Sequence, residues 1–226
     1  MTTDPHQLQQ VSEEFQHMVD EFFSVQSRYS AAIREVQTKL EILDDEFQLR
    51  HRRNPIHHMQ SRLKSIQSMM EKLKRRNYPV SISSAVENLQ DIAGVRVICS
   101  YVQDVYTIAN LLVGQDDVHL IRMSDYIREP KANGYRSLHL IVEIPVFLSE
   151  GRILVPVEVQ IRTIAMDFWA TLEHSLRYKA QESIPKHISD ELQRVATDIA
   201  SLDQRMQAIH DQVDLLVPKE TEEKQT

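Results

Sequence analysis

The stretch ILVPVEVQIRT, residues 153–163, decides the fold because it predicts a β-strand with two chemically different faces. Its apolar side chains alternate with a period of two and so point together into one core. They are Ile153, Val155, Val157, Val159 and Ile161. The opposite face carries Glu158, Gln160 and Arg162. A row of a carboxylate, an amide and a guanidinium is typical either of the floor of a binding site or of a solvated strand face. This stretch alone leaves both interpretations open.

The residues on either side of this strand extend the prediction to a sheet. The apolar run at 138–146 predicts a strand, and Gly151 marks a tight turn, so the two strands should pair as an antiparallel hairpin. Further strands are predicted at 91–100 and 118–123. Cys99 is the only cysteine, which excludes an internal disulfide. It lies in the apolar run VRVICSYV, which indicates an inert strand residue.

Apolar spacings of three and four predict helices along much of the chain. The segments 8–23 and 33–43 predict one long helix or two shorter ones that end before Asn54-Pro55, since the residue before a proline avoids helical geometry. The remaining predicted helices are 61–77, 84–89, 105–113, 164–180 and 188–216. The near-heptad apolar spacing of the last one is typical of a helix that packs along a partner helix.

Charge is distributed unevenly along the 226 residues, whose net charge is −7. Residues 1–49 carry ten acidic and three basic side chains, whereas residues 50–76 carry nine basic side chains against Glu71 alone. So concentrated a basic block indicates either a bound polyanion, such as nucleotide phosphates or RNA, or a solvated basic helix. No apolar run approaches the length of a membrane span, and the first residues do not resemble a signal peptide. We therefore expect a cytoplasmic protein.

Candidate site residues cluster at three places. In the predicted helix 61–77, Lys64, Ser68 and Lys72 share one stripe that suits phosphate oxygens, while Arg62 falls in the first turn. Asp91 and Arg96 can serve one site only if Gly94 marks a bulge or if Asp91 precedes the regular strand.

The third cluster is a loop, EPKANG, at residues 129–134, followed by Tyr135. Lys131 offers a cation on a flexible backbone, and Asn133-Gly134 is a turn signal. The ring of Tyr135 is suited to stacking on a base, or it is a strand-edge aromatic.

Four motifs, taken together and in order, closely resemble the synthetase domain of RelA/SpoT homologues. The first is Arg62-x-Lys64-x-x-x-Ser68-x-x-x-Lys72, and the second is Asp91-Ile-Ala-Gly-Val-Arg96. The third is Asp125-Tyr-Ile-x-x-Pro-Lys131-x-Asn133-Gly-Tyr135-x-Ser137-x-His139, and the fourth is Glu158-x-Gln160-Ile-Arg162-Thr. The match spans residues 62–179, about half of the chain.

The resemblance implies a fold and a reaction. The fold would be α+β, a mixed β-sheet flanked by helices, similar to nucleotidyltransferases and with N- and C-terminal helical extensions. The reaction would be transfer of the β,γ-pyrophosphate of ATP to the 3′-hydroxyl of GDP or GTP. Because the hydrolase motif of long members is absent from the sequence, the chain resembles a small, synthetase-only member. Such members commonly form homotetramers.

The resemblance also implies roles for single residues. Arg62 and Arg96 would sandwich the adenine of ATP, and Lys64, Ser68 and Lys72 would hold its phosphates. Asp91 and Glu158 would bind Mg²⁺, and Glu158 would also take the proton of the 3′-hydroxyl. Tyr135 would stack on guanine, with the acceptor side completed by Lys131, Asn133, His139 and Gln160.

The same resemblance divides the chain into an N-terminal helical extension (1–54), a catalytic core (55–181) and a C-terminal segment (182–226) that holds a helix and a disordered tail. The segment 122–125 keeps the arginine but lacks the lysine of a family motif linked to acceptor choice, so GDP and GTP both remain open. Two other functions compete with the synthetase. One is an RNA-binding module that uses the basic block and Tyr135. The other is a nucleotidyltransferase that would release pyrophosphate rather than AMP.

Overall fold

The computed structural model, which describes residues 5–180 and 184–216, is an α+β fold in which helices flank one mixed sheet. The N-terminal half holds α1 (Pro5–His51), β1 (Ile56–Leu63), α2 (Ile66–Arg75), α3 (Ile82–Asn88), β2 (Ala93–Cys99) and α4 (Val102–Val113). The C-terminal half holds β3 (His119–Asp125), β4 (Leu138–Leu148), β5 (Gly151–Thr163), α5 (Ile164–Lys179) and α6 (Lys186–Leu216). The predicted fold class is confirmed.

The strand β5 lies in the middle of the five-stranded sheet, whose order is β1-β2-β5-β4-β3. It pairs in parallel with β2 and antiparallel with β4, so the predicted hairpin is confirmed. Gly151 begins β5 with a φ of +130°, a conformation that favours glycine. As the alternation predicts, Val155, Val157, Val159 and Ile161 are all buried. The order places the row of polar side chains on β5 at the centre of the opposite face.

The main core lies between the sheet and the helices α1 and α4. Of the two alternatives for the N-terminal segments, one long helix is the observed one. This helix, α1, contributes Tyr29, Val36 and Leu40 to the core and ends before Asn54-Pro55. Cys99 is fully buried in β2, and burial raises the pKa of its thiol, as expected for an inert strand residue. No helix among residues 5–180 and 184–216 is long and apolar enough to cross a membrane.

The predicted helix 61–77 is wrong at its beginning. Residues up to Leu63 belong to the edge strand β1, and α2 begins only at Ile66. Ser65 is the N-cap, and its hydroxyl accepts a hydrogen bond from the backbone N–H of Ser68 at 3.2 Å. Arg62 therefore lies on a strand rather than in a first helical turn, and Lys64 lies in the connection. The predicted stripe of three residues on one helix is reduced to Ser68 and Lys72.

The helix α6 packs against the rest of the chain through small side chains. Its buried residues are Ala196, Ala200 and Asp203. The large apolar side chains of its near-heptad stripe, by contrast, are partly or largely exposed along the C-terminal half of the helix; they include Leu202, Met206, Ile209 and Val213. The expected disordered tail, residues 218–226, lies outside the described residues.

Candidate active site

The polar face of the sheet carries two neighbouring cavities. The larger, of about 370 Å³, is lined by Lys72, Arg76, Gln90, Asp91, Arg122, Ser124, Tyr126, Lys131, His139, Ile141 and Glu158. The smaller, of about 70 Å³, is lined by Gln60, Ser61, Arg62, Gly94, Val95, Arg96 and Gln160. Glu158 and Gln160, two positions apart on β5, thus face one cavity each.

The row on β5 is hydrogen-bonded along its length. The side-chain amide of Gln160 donates to Oε2 of Glu158 at 2.9 Å, and Nη2 of Arg162 donates to Oε1 of Gln160 at 2.9 Å. Arg162 is only 4% exposed, and its Nη1 also donates to Asp167 at 3.1 Å. A buried and paired guanidinium excludes a solvated strand face, so the row forms the floor of a site.

Asp91 precedes β2, which is the second of the two arrangements that the sequence allowed. Lys72 and Lys64 both donate to its Oδ2, at 2.5 Å and 2.9 Å. Burial alone would raise the pKa of Asp91, but the hydrogen bonds and charges of the two lysines lower it below its usual value. Its other oxygen, Oδ1, is buried and accepts no hydrogen bond from the described part of the chain. This oxygen is therefore open to a cation.

Glu158 is the second carboxylate of the larger cavity. Its Oε1 lies 3.2 Å from Nδ1 of His139. Burial and the charge of Asp91 act to raise the pKa of Glu158, yet the hydrogen bond and charge of His139, together with Gln160, lower it overall. The two carboxylates thus sense each other's charge across the cavity. No group of three or more histidine, cysteine, aspartate or glutamate side chains positioned to hold a metal occurs among the described residues.

One side of the larger cavity is aromatic: Tyr126 and His139 line it, and Tyr135 contacts both rings without lining it. Tyr126, Tyr135 and His139 contact one another edge to face, with ring centroids 5.2–6.1 Å apart. The ammonium of Lys131 lies 4.5 Å from the ring centroid of Tyr126 and 4.9 Å from that of Tyr135. These cation–π contacts hold Lys131 beside the cavity that it lines.

Asn133 is engaged by the protein itself. Its side-chain amide donates to Oε1 of Glu173 at 3.0 Å, and its Oδ1 accepts from the backbone N–H of Tyr135 at 3.2 Å. Glu173 is buried and also accepts from Arg177. Asn133 lines neither cavity, so in this structure its side chain shapes the loop.

The two arginines predicted on the donor side lie on adjacent antiparallel strands. Arg62 pairs with Gly94, and Arg96 pairs with Gln60, so both guanidiniums reach the smaller cavity. A Cβ on Gly94 would lie 3.7 Å from Cγ of Arg62. Nη1 of Arg96 lies 3.5 Å from Asp167, while its Nε is buried without a partner in the described structure. Burial, and then the nearby charge of Arg162, lower the pKa of Arg96.

Eight of the predicted residues line the two cavities, and four line neither. The four bind other side chains: Lys64 contacts Asp91, Ser68 accepts from Ser65, Asn133 donates to Glu173 and Tyr135 accepts from Arg162. Gln160, predicted on the acceptor side, lines the smaller cavity with Arg62 and Arg96 instead. Residues that contact the site without having been assigned a role are Arg76, Gln90, Tyr126, Arg162, Asp167 and Glu173. Arg162 had a signal in the polar row, Tyr126 in the third motif and Arg76 in the basic block. The other three had none, because contacts between distant elements leave no local pattern.

Comparison with known proteins gives the same family as the four sequence motifs. A family model described as "Region found in RelA / SpoT proteins" matches residues 61–183. The GTP pyrophosphokinase YwaC of Bacillus subtilis strain 168 is 45% identical over 186 residues, which cover 82% of this chain and 89% of that protein. The GTP pyrophosphokinase YjbM of the same strain is 37% identical and covers 82% of this chain and 86% of its own.

Solved structures of small alarmone synthetases are similar in fold to this chain. Small alarmone synthetase 2 from Bacillus subtilis superposes with a TM-score of 0.78 at 41% identity, over 85% of this chain and 99% of that chain. Small alarmone synthetase 1 from the same organism, bound to its product pppGpp, gives a TM-score of 0.75 at 37% identity, over 82% of this chain and 94% of that chain.

Proposed function

This chain belongs to the RelA/SpoT family, and we propose that it is a (p)ppGpp synthetase that transfers the β,γ-pyrophosphate of ATP to the 3′-hydroxyl of GDP or GTP and releases AMP. One observation carries this function. Asp91 and Glu158 line a single cavity together with Lys72 and Lys131, so paired carboxylates face paired cations. Such a cavity suits phosphoryl chemistry, in which the protein mainly positions the reactants and neutralises charge.

The donor nucleotide occupies the side of the site formed by β1, β2 and α2. Arg62 and Arg96 stack on the two faces of the adenine, a contact suited to planar guanidinium groups. Lys64 and Lys72 bind the phosphates, and Ser68 lies one helical turn before Lys72 on α2. Both lysines contact Asp91, and Asp91 and Lys72 line the larger cavity.

Asp91 and Glu158 would hold the Mg²⁺ ion that the reaction needs. Asp91 offers the buried Oδ1 that no hydrogen bond satisfies, and Glu158 offers a carboxylate with a lowered pKa, which is therefore ionised at neutral pH. Two protein carboxylates are a usual share of a Mg²⁺ site that is completed by phosphate oxygens and water. When bound, the ion neutralises charge on the group being transferred.

The acceptor occupies the side formed by β4 and the loop at residues 126–137. Tyr135 stacks on guanine, Lys131 and His139 supply polar contacts, and Asn133 holds the loop. Gln160, which lines the smaller cavity, acts on the acceptor side through its hydrogen bond to Glu158. Glu158 accepts the proton of the 3′-hydroxyl. The lowered pKa makes Glu158 a weak base at rest, so its position beside the hydroxyl contributes more than its intrinsic basicity.

Assembly and location complete the proposal. Residues 55–181 form the catalytic core, and the segments 1–54 and 182–226 join copies of the chain into a homotetramer in the cytoplasm. The large apolar side chains exposed on α1 and α6 support this assembly; they include Ile42, Leu49, Met206 and Ile209.

The test is incubation of the purified protein with labelled ATP and with GDP or GTP in turn. We expect AMP together with guanosine tetra- or pentaphosphate. Release of pyrophosphate would instead indicate nucleotidyl transfer, and RNA binding without turnover would indicate a binding module. Lys72→Ala should lose activity, whereas Lys74→Ala, an exposed residue on the same helix that lines neither cavity, should retain it.

A further inference from the structure

The acceptor loop rests directly on the C-terminal helix. Gly134 has a φ of +90°, and a Cβ built on it would lie 2.6 Å from Cβ of Ala196 on α6. The same Cβ would lie 3.6 Å from Cα of Gln193 and 3.7 Å from Cζ2 of Trp169. The loop backbone therefore touches α6 so closely that not even a methyl group fits between them.

The contact continues into the side chain proposed to stack on guanine. Trp169, Ala170 and Ala196 form a small apolar cluster that is separate from the main core, and Tyr135 packs against it. The indole N–H of Trp169 donates to the backbone carbonyl of Leu192 at 2.9 Å. The ring of Tyr135 is thus supported from behind by α5 and α6 together.

The position of α6 is itself fixed at two further points. The hydroxyl of Thr163, the last residue of β5, donates to Oδ2 of the buried Asp203 at 2.8 Å. Further along, the backbone N–H of Gln103 donates to the side chain of Gln207 at 2.9 Å, and the Gln207 amide donates back to the Gln103 side chain at 3.3 Å. Sliding or tilting of α6 would break these bonds, so the helix is a firm support for the loop.

We infer that α6 is part of the acceptor site, and that Ala196, through Gly134, is a positioning residue for Tyr135. This inference rests on the proposed function, because it deepens the role of the acceptor loop. It assigns to the C-terminal helix a role inside each subunit, separate from any role in assembly. Ala196 touches no reacting atom, so its effect should appear in acceptor affinity and leave ATP affinity unchanged.

A double-mutant cycle tests the contact. Gly134→Ala introduces the methyl that has no room, and Ala196→Gly removes the methyl that it meets. Calorimetry measures the Kd of GDP and of ATP for the parent, both single variants and the double variant. Residues in contact are typically coupled by about two- to a hundredfold in an equilibrium constant. We expect Gly134→Ala to weaken GDP binding at least about threefold more in the parent background than in Ala196→Gly. Independent effects of the two changes on GDP, or equal coupling for ATP, would overturn the inference.

A second pair of variants separates positioning from mere stability. Ala196→Leu and Ala200→Leu each enlarge a buried alanine on the same face of α6, one helical turn apart. Both should lower the melting temperature, because overpacking strains a core. Only Ala196→Leu should raise the KM for GDP, with the KM for ATP unchanged. If both variants raise it equally, α6 acts through general stability and Ala196 has no positioning role.

The chain's single tryptophan reports the contact without any nucleotide. Trp169 lies beside both Gly134 and Ala196, so Gly134→Ala should shift its fluorescence emission, and adding Ala196→Gly should reverse this shift. The reversal should be partial, because an alanine at 134 remains strained at a φ of +90° after the methyl of Ala196 is removed. Partial reversal distinguishes two failures. If the parent makes no alarmone while Trp169 reports the coupling, the proposed function fails and the contact stands. If the parent makes alarmone and the coupling is absent from both readouts, the inference alone fails.

Discussion

Nη2 of Arg162 donates to the hydroxyl oxygen of Tyr135 at 2.7 Å, and this is the first of a series of side-chain hydrogen bonds that ends on Glu158. Arginine can only donate, so the tyrosine oxygen accepts from it, and the same oxygen lies 2.8 Å from Nε2 of His139. An ionised carboxylate can only accept, so Nδ1 of His139 donates to Glu158 at 3.2 Å. The ring proposed to stack on guanine is therefore connected to the proposed base.

Tyr135→Phe should separate the two roles of this residue. The phenyl ring preserves the stacking surface, so the acceptor Kd should change little, whereas the interrupted series of hydrogen bonds should lower kcat by about tenfold, the usual worth of a hydrogen bond involving charged groups. Tyr135→Ala removes the ring as well and should weaken acceptor binding about ten- to a hundredfold. Calorimetry and steady-state kinetics on both variants check this. A loss of ATP binding with acceptor binding intact would assign the ring to the other nucleotide.

Glu158→Gln should nearly abolish turnover while leaving the fold intact. The side chain points away from the main core and is matched in shape by glutamine, so no cavity forms. Loss of a general base typically costs about a hundred- to ten-thousandfold in rate, and weakened Mg²⁺ binding adds to that loss. Melting temperature and turnover at saturating Mg²⁺ are compared in one preparation. A variant that melts like the parent and keeps more than about a tenth of its rate would exclude Glu158 from the chemistry.

Arg53→Met should destabilise the fold strongly. Its guanidinium binds Asp104 with two hydrogen bonds, of 2.9 Å and 2.7 Å, and Asp104 is only 1% exposed. An unpaired buried carboxylate costs about 3–5 kcal/mol in the free energy of unfolding. Urea titration should show this loss, and a double variant with Asp104→Leu should recover most of it.

The matched control is Arg194→Met. Arg194 forms an exposed pair with Glu191, and such pairs contribute less than about 1 kcal/mol. If Arg53→Met and Arg194→Met lower the free energy of unfolding equally, the buried pair does not contribute more than the exposed one.

Asp203→Asn should change how stability depends on pH. Burial raises the pKa of Asp203, and the hydrogen bond from Thr163 only partly offsets this. The folded chain therefore binds this proton more tightly than the unfolded chain, so the free energy of unfolding falls as pH rises from the ordinary carboxyl range through the raised pKa. Asparagine carries no such proton, and its advantage over aspartate should grow with pH.

Melting temperatures recorded between about pH 4 and pH 8 test this, with the exposed Asp198→Asn on the same helix as the control. A difference between Asp203→Asn and the parent that is constant across this range would show that Asp203 has an ordinary pKa.

Light scattering at micromolar concentration should show an oligomer, with a tetramer as the expected state. Ile209→Glu places a charge in the exposed apolar stripe of α6 and should lower the mass, whereas Arg205→Glu, outside that stripe, should not. A single 26.3 kDa species for the parent would refute assembly.

The sequence predicts the structure best where one buried face makes apolar residues recur at a regular spacing. The central strand β5 is predicted almost to the residue because one face is packed and the other is not, and the hairpin follows from Gly151. The edge strand β1 is largely exposed on both faces, so it lacks an apolar alternation, and its end was assigned to a helix. Ser65 is the N-cap of α2, so the helix begins after it. The predicted helix began at residue 61, which is also a serine, and residue type alone does not distinguish the two positions.

The site was predictable as a set of residues and less so as a network. Motif order placed Asp91 and Glu158 at one site, and the structure agrees. The two lysines on Asp91, the pairing of Asn133 with Glu173, and the support of Gly134 by Ala196 all join residues far apart in sequence. Such contacts arise from tertiary packing, which leaves no local pattern in the chain.

Because β5 lies at the centre of the sheet, the proposed contacts to adenine and to guanine can be changed separately. The arginines proposed to hold the adenine lie on β1 and β2, and the tyrosine proposed to stack on guanine precedes β4, so β5 lies between the two proposed base contacts. The residues proposed for the phosphates, by contrast, share the larger cavity with Lys131 and His139. Substitutions that are well separated usually combine additively. Directed evolution for a new donor base at Arg62 and Arg96, and for a new acceptor base at the loop, can therefore proceed in separate libraries whose winners are then recombined on an unchanged β5.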